Sequence, residues 1–191
     1  GLMQLVAYGA QDIYLTGNPQ ITFFKVVYRR HTNFSMEAIE QTWDGSDTTS
    51  GRCTATISRN GDLVYRMYLE VTGTTRTGTR NLSSMITDVE LEIGGQKIDK
   101  HSGKWMEVWA ELTEPNNEGV IGIWTDSATC TTFQKMSGMG GITFPLLVVP
   151  MHSFIPLQFW FCRNPGLALP LIALQYHEVK IILNHLISDT L

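Results

Sequence analysis

At 191 residues, the chain is long enough to bury a sizeable core in one large β domain or two small ones. With 43% hydrophobic and 17% charged residues it reads as globular, and the charged share, below the usual quarter, leaves exterior for partners to cover. A formal net charge of −4 argues against a general nucleic-acid binder. The local basic cluster at Lys25, Arg29, Arg30 and His31 reads as a solvated face or a packing contact.

Asn18-Pro19 is a helix-start signal, and Phe23, Phe24, Val27 and Tyr28 fit the apolar stripe of a short helix. Before it, residues 1–20 mix small and polar residues without sustained alternation, so they are expected to lie outside any sandwich. Beyond Thr32 the period changes to two. Phe34, Met36 and Ala38 alternate with polar residues, and the parity flips at Ala38-Ile39, which predicts a bulged strand running to Trp43. Cys53, Ala55 and Ile57 predict a second strand, and Leu63, Tyr65, Met67, Leu69 and Val71 a third. Between these two lies Asn60-Gly61. A two-residue hairpin there would put the apolar rows on opposite faces. A three-residue loop, or a corner into another sheet, restores the match, and register alone does not choose between those two.

Residues 73–84 read as a polar loop. Met85, Val89, Leu91 and Ile93 then predict a strand, and a turn at Gly94-Gly95 pairs Leu91 with Ile98. Ser102 is placed to cap a helix carrying Trp105, Val108, Trp109 and Leu112, ended by Pro115. That stripe reads as core or interface, with both indoles largely buried. Residues 114–141 look like loop, glycine-rich at Gly138, Gly140 and Gly141 but without a phosphate-binding pattern.

From Met136 to His177, Arg163 is the only Asp, Glu, Lys or Arg. Pro145, Pro150, Pro156, Pro165 and Pro170 break this stretch too often for a membrane helix, so it reads as β structure. Strands are expected at about 142–149, 154–162 and 172–183, with a type II turn at Asn164-Pro165-Gly166. Seven or eight strands with one internal helix make an antiparallel sandwich or jelly roll.

No catalytic or metal-ligand motif appears. His177 and Glu178 are strand neighbours whose side chains point to opposite faces. His31, His101, His152 and His185 have no partner that the sequence nominates. Cys53, Cys130 and Cys162 show neither disulfide nor zinc spacing, and Cys162-Arg163 reads as a buried thiol beside a turn rather than an activated thiolate. The start of the chain lacks the features of a signal peptide, so the sequons at Asn33 and Asn81 read as chance matches. No catalytic, cofactor or metal residue is nominated, and an enzyme is not expected.

The strings LVAYGAQDIYLTGNPQITFFKVVYRRHTNFSMEAIEQTW (5–43), ISRNGDLVYRMYL (57–69), VELEIGGQKIDKH (89–101) and IPLQFWFCRNPGLALPLIALQYHEVKI (155–181) closely resemble the major capsid protein of nucleocytoplasmic large DNA viruses, above all the mimivirus, marseillevirus and phycodnavirus types. The resemblance implies the first of two jelly rolls, with residues 1–31 as an N-terminal arm carrying a short helix and 32–191 as the jelly-roll domain. It also implies a homotrimeric pseudo-hexagonal capsomer of an icosahedral shell, located in the virion and assembled in the host cytoplasm. Expected partners are further copies, neighbouring capsomers and, through the arm, minor capsid proteins. An inner membrane lies nearby, without a transmembrane segment here and without direct nucleic-acid contact. Under this resemblance Asn60-Gly61 becomes a corner between opposing sheets. Relatives continue past HEVKI with a strand completing the first jelly roll and then a second jelly roll. The ending at Leu191 therefore implies a fragment, a truncated product or a chain completed by a partner, expected to associate when expressed alone. A minor capsid or truncated capsid-like paralogue is the alternative, and a carbohydrate-binding jelly roll a third reading.

Overall fold

The computed structural model describes residues 33–46, 48–73, 82–115, 122–123, 130–143 and 151–187. The chain divides into two units, 1–39 and 40–191. The expected helix at 18–28 and the arm at 1–20 lie outside the described residues.

In the first unit, residues 33–39 carry no helix or strand, and Phe34 and Met36 are 82% and 75% exposed. The strand expected over 34–43 does not form. Alternation supplies a face to bury, but a strand also needs a sheet ladder for its backbone, and 34–43 joins no described ladder.

The second unit is built on a five-stranded antiparallel sheet. Its order is β1 (Asp44–Gly45), β2 (Gly51–Thr56), β11 (Val179–His185), β5 (Ile86–Ile93) and β6 (Gln96–Ser102). Register places Ala55 and Leu91 on either side of Ile181, and Cys53 and Val89 on either side of Leu183. One face is therefore continuous aliphatic core. The intervening positions carry Thr54, Lys180, Asn184, Asp88 and Glu90, as period-two strands require.

Three shorter pairs complete the unit: β3 (Leu63–Val64) with β10 (Leu169–Pro170), β4 (Tyr68–Gly73) with β9 (Met151–Pro156), and β7 (Gly122–Ile123) with β8 (Ile142–Thr143). Only the last is parallel among the described pairs. Cys53, Val89, Leu91 and Ile181 from the large sheet join Leu69, Ile155, Leu157, Phe159, Phe161 and Leu169 in one buried cluster. The uncharged stretch thus supplies much of the core.

β2 and β3 belong to different sheets, so Asn60-Gly61 is a corner and not a hairpin. The single strand expected from Leu63 to Val71 is split into β3 and β4, since it crosses from one partner, β10, to another, β9. The hairpin at Gly94-Gly95 is present, both glycines having positive φ, as a two-residue turn between twisted strands demands. Its register differs from expectation. Glu92 pairs with Lys97 but Leu91 pairs with Asp99, so Ile98 is bulged and exposed.

After β9, apolar side chains continue inward where the backbone has already left the ladder. β9 stops at Pro156, yet Leu157, Phe159 and Phe161 stay buried as the chain enters the short helix α3 (Trp160–Arg163). Asn164 starts a 3-10 turn over Pro165–Leu167, its Oδ1 accepting from the Gly166 N–H at 2.9 Å. Gly166 is not at positive φ, so the expected type II turn is absent. Residues 171–176 are turn, and the last strand begins at Val179 rather than Ile172. The segment read as loop over 114–141 contains α2 (Thr132–Ser137), closed by a reciprocal capping box between Thr131 and Gln134. Of the strand expected over 142–149, only Ile142 and Thr143 lie within the described residues.

Candidate assembly surface

Helix α1 (Gly103–Thr113) follows β6 directly. Ser102 ends the strand and caps the helix, its Oγ accepting from the Trp105 N–H at 3.2 Å. Gly103 faces the 3-10 turn at Leu82–Met85 so closely that a Cβ would sit 1.9 Å from the Ser83 carbonyl oxygen and 2.4 Å from that of Ile86. Gly103, Met106 and Ala110 form the seated stripe. Beside it, the Glu107 carboxylate accepts from Ser83 Oγ at 3.0 Å and from the Gly141 N–H at 2.6 Å, tying the helix to the turn and to the glycine loop.

The larger stripe points outward. Trp105 is 40% and Leu112 74% exposed, Val108 is exposed, and Trp109 is half-buried beneath Arg163, whose Cζ lies 4.5 Å from its ring centre. In the chain alone Trp105 is therefore exposed where burial was expected, and Trp109 is half-buried. α1 carries two adjacent apolar stripes, and the small-residue one allows the closer seat. The bulky one is left exposed, an apolar surface of the chemistry found at protein interfaces. A second apolar ridge, Leu63, Leu167, Ile172 and Tyr176, is exposed around the β3–β10 pair.

Beside the start of α1 lies a cleft of about 310 Å³ lined by Asp99, Lys100, His101, Ser102, Trp105, Gln158 and Arg163. His101, one of these residues, is buried, with its ring edge-on to Phe159 at 4.7 Å. Burial pushes its pKa down to about 4; Asp99 works against that and Arg163 with it. The imidazole is neutral near pH 7, and its Nε2 accepts weakly from the Gln158 N–H at 3.5 Å.

Other reactive side chains are used structurally. His185 Nε2 meets the Ser46 carbonyl at 2.8 Å, and exposed His152 lies 3.3 Å from Glu70. Glu178 pairs with Lys180 at 2.8 Å rather than with His177. Burial pushes the Cys162 thiol up to about 11, which keeps it protonated near pH 7 and argues against an activated thiolate. On the outer sheet face Lys97 and Lys100 reach Glu90 at 2.6 and 3.1 Å, and these bonds hold its carboxyl below the usual range. His31 and the basic cluster around it lie outside the described residues. Among the described residues, no helix is long and apolar enough to cross a membrane.

A family model described as the major capsid protein N-terminus matches residues 22–189. The major capsid protein of Pyramimonas orientalis virus is 57% identical over 189 residues, covering 95% of this chain and 45% of that protein. That of Paramecium bursaria Chlorella virus 1 is 45% identical over 185 residues, covering 95% and 39%. The solved structure of VP54 of PBCV-1, fitted into a cryo-EM reconstruction of the virophage Sputnik, superposes with a TM-score of 0.64 at 37% identity, covering 86% of this chain and 38% of that one. The chain spans less than half the length of these relatives. Its mainly antiparallel sheets correspond to one jelly roll of a viral double jelly-roll protein. With the match extending over most of its length, this chain belongs to the major capsid protein family of large DNA viruses, in that family's N-terminal region.

Proposed function

We propose that the chain works as part of a capsid shell subunit, in which three copies associate into a pseudo-hexagonal capsomer and capsomers tile an icosahedral virion. The observation that carries this reading is similarity to proteins named major capsid protein over 95% of the chain. Such work is structural: shape, edge complementarity and repeated association, with no catalytic step. The outward stripe of Trp105, Val108 and Leu112 supports it, because a solvated monomer gains nothing from such a surface. Residues 1–31 are the arm that reaches neighbouring capsomers and minor capsid proteins, and 32–191 the jelly-roll domain. Assembly takes place in the host cytoplasm, around an inner membrane.

Native mass spectrometry of the purified gene product containing this chain tests the assembly state. A trimer is expected, and a monomer at micromolar concentration rejects the capsomer. Quantitative mass spectrometry of purified particles separates the major subunit, the dominant virion protein, from a minor capsid paralogue present in few copies.

A further inference from the structure

The corner between β2 and β3 contains an Asn-Gly step. Asn60 and Gly61 are both exposed and lie in a bend outside any helix or strand. Neither the Asn60 side chain nor the Gly61 N–H has a hydrogen-bond partner among the described residues. A Cβ built on Gly61 would meet nothing closer than the Leu63 carbonyl oxygen at 3.9 Å. The nucleophile, the electrophile and the space for solvent base are therefore all available at one place.

We propose that Asn60 is a site of spontaneous succinimide formation, so that this corner ages from asparagine to isoaspartate and aspartate. The Gly61 backbone nitrogen loses its proton to solvent base and attacks Asn60 Cγ. The new N–Cγ bond closes a five-membered ring, the Cγ–Nδ2 bond breaks, and the amide leaves as ammonia. Water then opens the ring. Attack at the α-carbonyl gives isoaspartate, and attack at Cγ gives aspartate. The departing amide takes up a proton from solvent, so base acts catalytically, and the net change is one water consumed and one ammonia released. Glycine favours the step because it puts no side chain beside the attacking nitrogen and leaves the backbone free to turn.

The position makes the change consequential. On one side, Arg59 donates to the carbonyls of Leu174 and His177 at 3.0 and 3.1 Å. On the other, the Asp62 carbonyl accepts from the Leu171 N–H at 2.9 Å. Isoaspartate inserts a methylene into the main chain between these anchors and adds a negative charge. The Leu171 bond and the β3–β10 pair next to it are the contacts expected to loosen.

The test incubates the purified protein at mildly alkaline and mildly acidic pH, alongside a synthetic peptide of residues 55–66. Digestion with trypsin in heavy-oxygen water releases Asn60–Arg66 and marks any conversion that occurs during digestion. Isoaspartyl methyltransferase labelling distinguishes the products. The expected result is isoaspartate as the main product at Asn60, faster at alkaline pH, at a rate within a few-fold of the peptide. Conversion should slow several-fold in Gly61→Ala, with hydrogen exchange at Leu171 rising in the aged protein. The proposal is overturned if Asn60 stays intact while the peptide converts, or if aspartate forms without isoaspartate. Equal rates in Gly61→Ala and the parent protein would overturn it as well.

Discussion

Gly103 shows how one missing side chain fixes a helix. Because its Cβ would overlap the carbonyl oxygens of Ser83 and Ile86, both main-chain atoms, no rotamer change relieves the clash. Gly103→Ala should therefore destabilise by about 3 kcal/mol or more, at the upper end of overpacking costs, measured by denaturant unfolding. His101 makes a pH prediction of known sign. Its ordinary pKa of 6.5 falls to about 4 in the folded protein, chiefly through burial. Between those values the unfolded chain binds the proton and the folded one does not, so stability falls as pH drops through this window and then levels off. With about 1.4 kcal/mol for each tenfold change in proton affinity, the loss is roughly 3 kcal/mol. His101→Gln should flatten that part of the stability profile, and an unchanged slope would show that another group controls it.

At the scale of elements, α1 separates seating from display. Glu107 accepts hydrogen bonds from two partners on different segments, so Glu107→Ala should cost about 2 kcal/mol by leaving donors unpaired. Hydrogen exchange at the Gly141 amide should rise with it. Trp105, on the outer stripe, should behave differently in two assays. Trp105→Ala should cost the isolated subunit well under the 3–5 kcal/mol typical of a buried aromatic, yet weaken subunit association in native mass spectrometry. Phe159→Ala, within the core, should show the full folding cost. If Trp105→Ala unfolds the monomer as severely as Phe159→Ala, the display reading of the stripe is wrong.

Across the whole molecule, the core joins the five-stranded sheet to the β4–β9 and β3–β10 pairs in a single cluster. Substitutions in either part should thus weaken the same structure. Val89→Ala and Ile155→Ala, both at fully buried positions, should lower the midpoint of one common unfolding transition, read by circular dichroism and tryptophan fluorescence together. Ile155→Ala should cost about 2–5 kcal/mol. Two separated transitions, each sensitive to one substitution, would mean that the parts fold independently.

The amino-acid sequence by itself determined the mainly antiparallel β class, the Gly94-Gly95 hairpin, the Ser102 cap, the core character of Ile155, Leu157, Phe159 and Phe161, and the capsid family. These follow from local signals: period-two alternation, turn glycines, a capping hydroxyl beside an apolar run, and long ordered stretches of similar residues. Tertiary structure alone decided which alternating segments acquired ladder partners. Phe34 and Met36 alternate as cleanly as Cys53 and Ala55, but only the latter belong to a described ladder. It decided that Ile98 bulges, because the register of β5 against β6 depends on the whole ladder and not on the turn. It also decided which stripe of α1 faces inward. Spacing assigns Trp105 and Trp109 to one stripe and Gly103, Met106 and Ala110 to another. The choice between them rests on how near the 82–85 turn can come, and that distance is a property of the packed molecule.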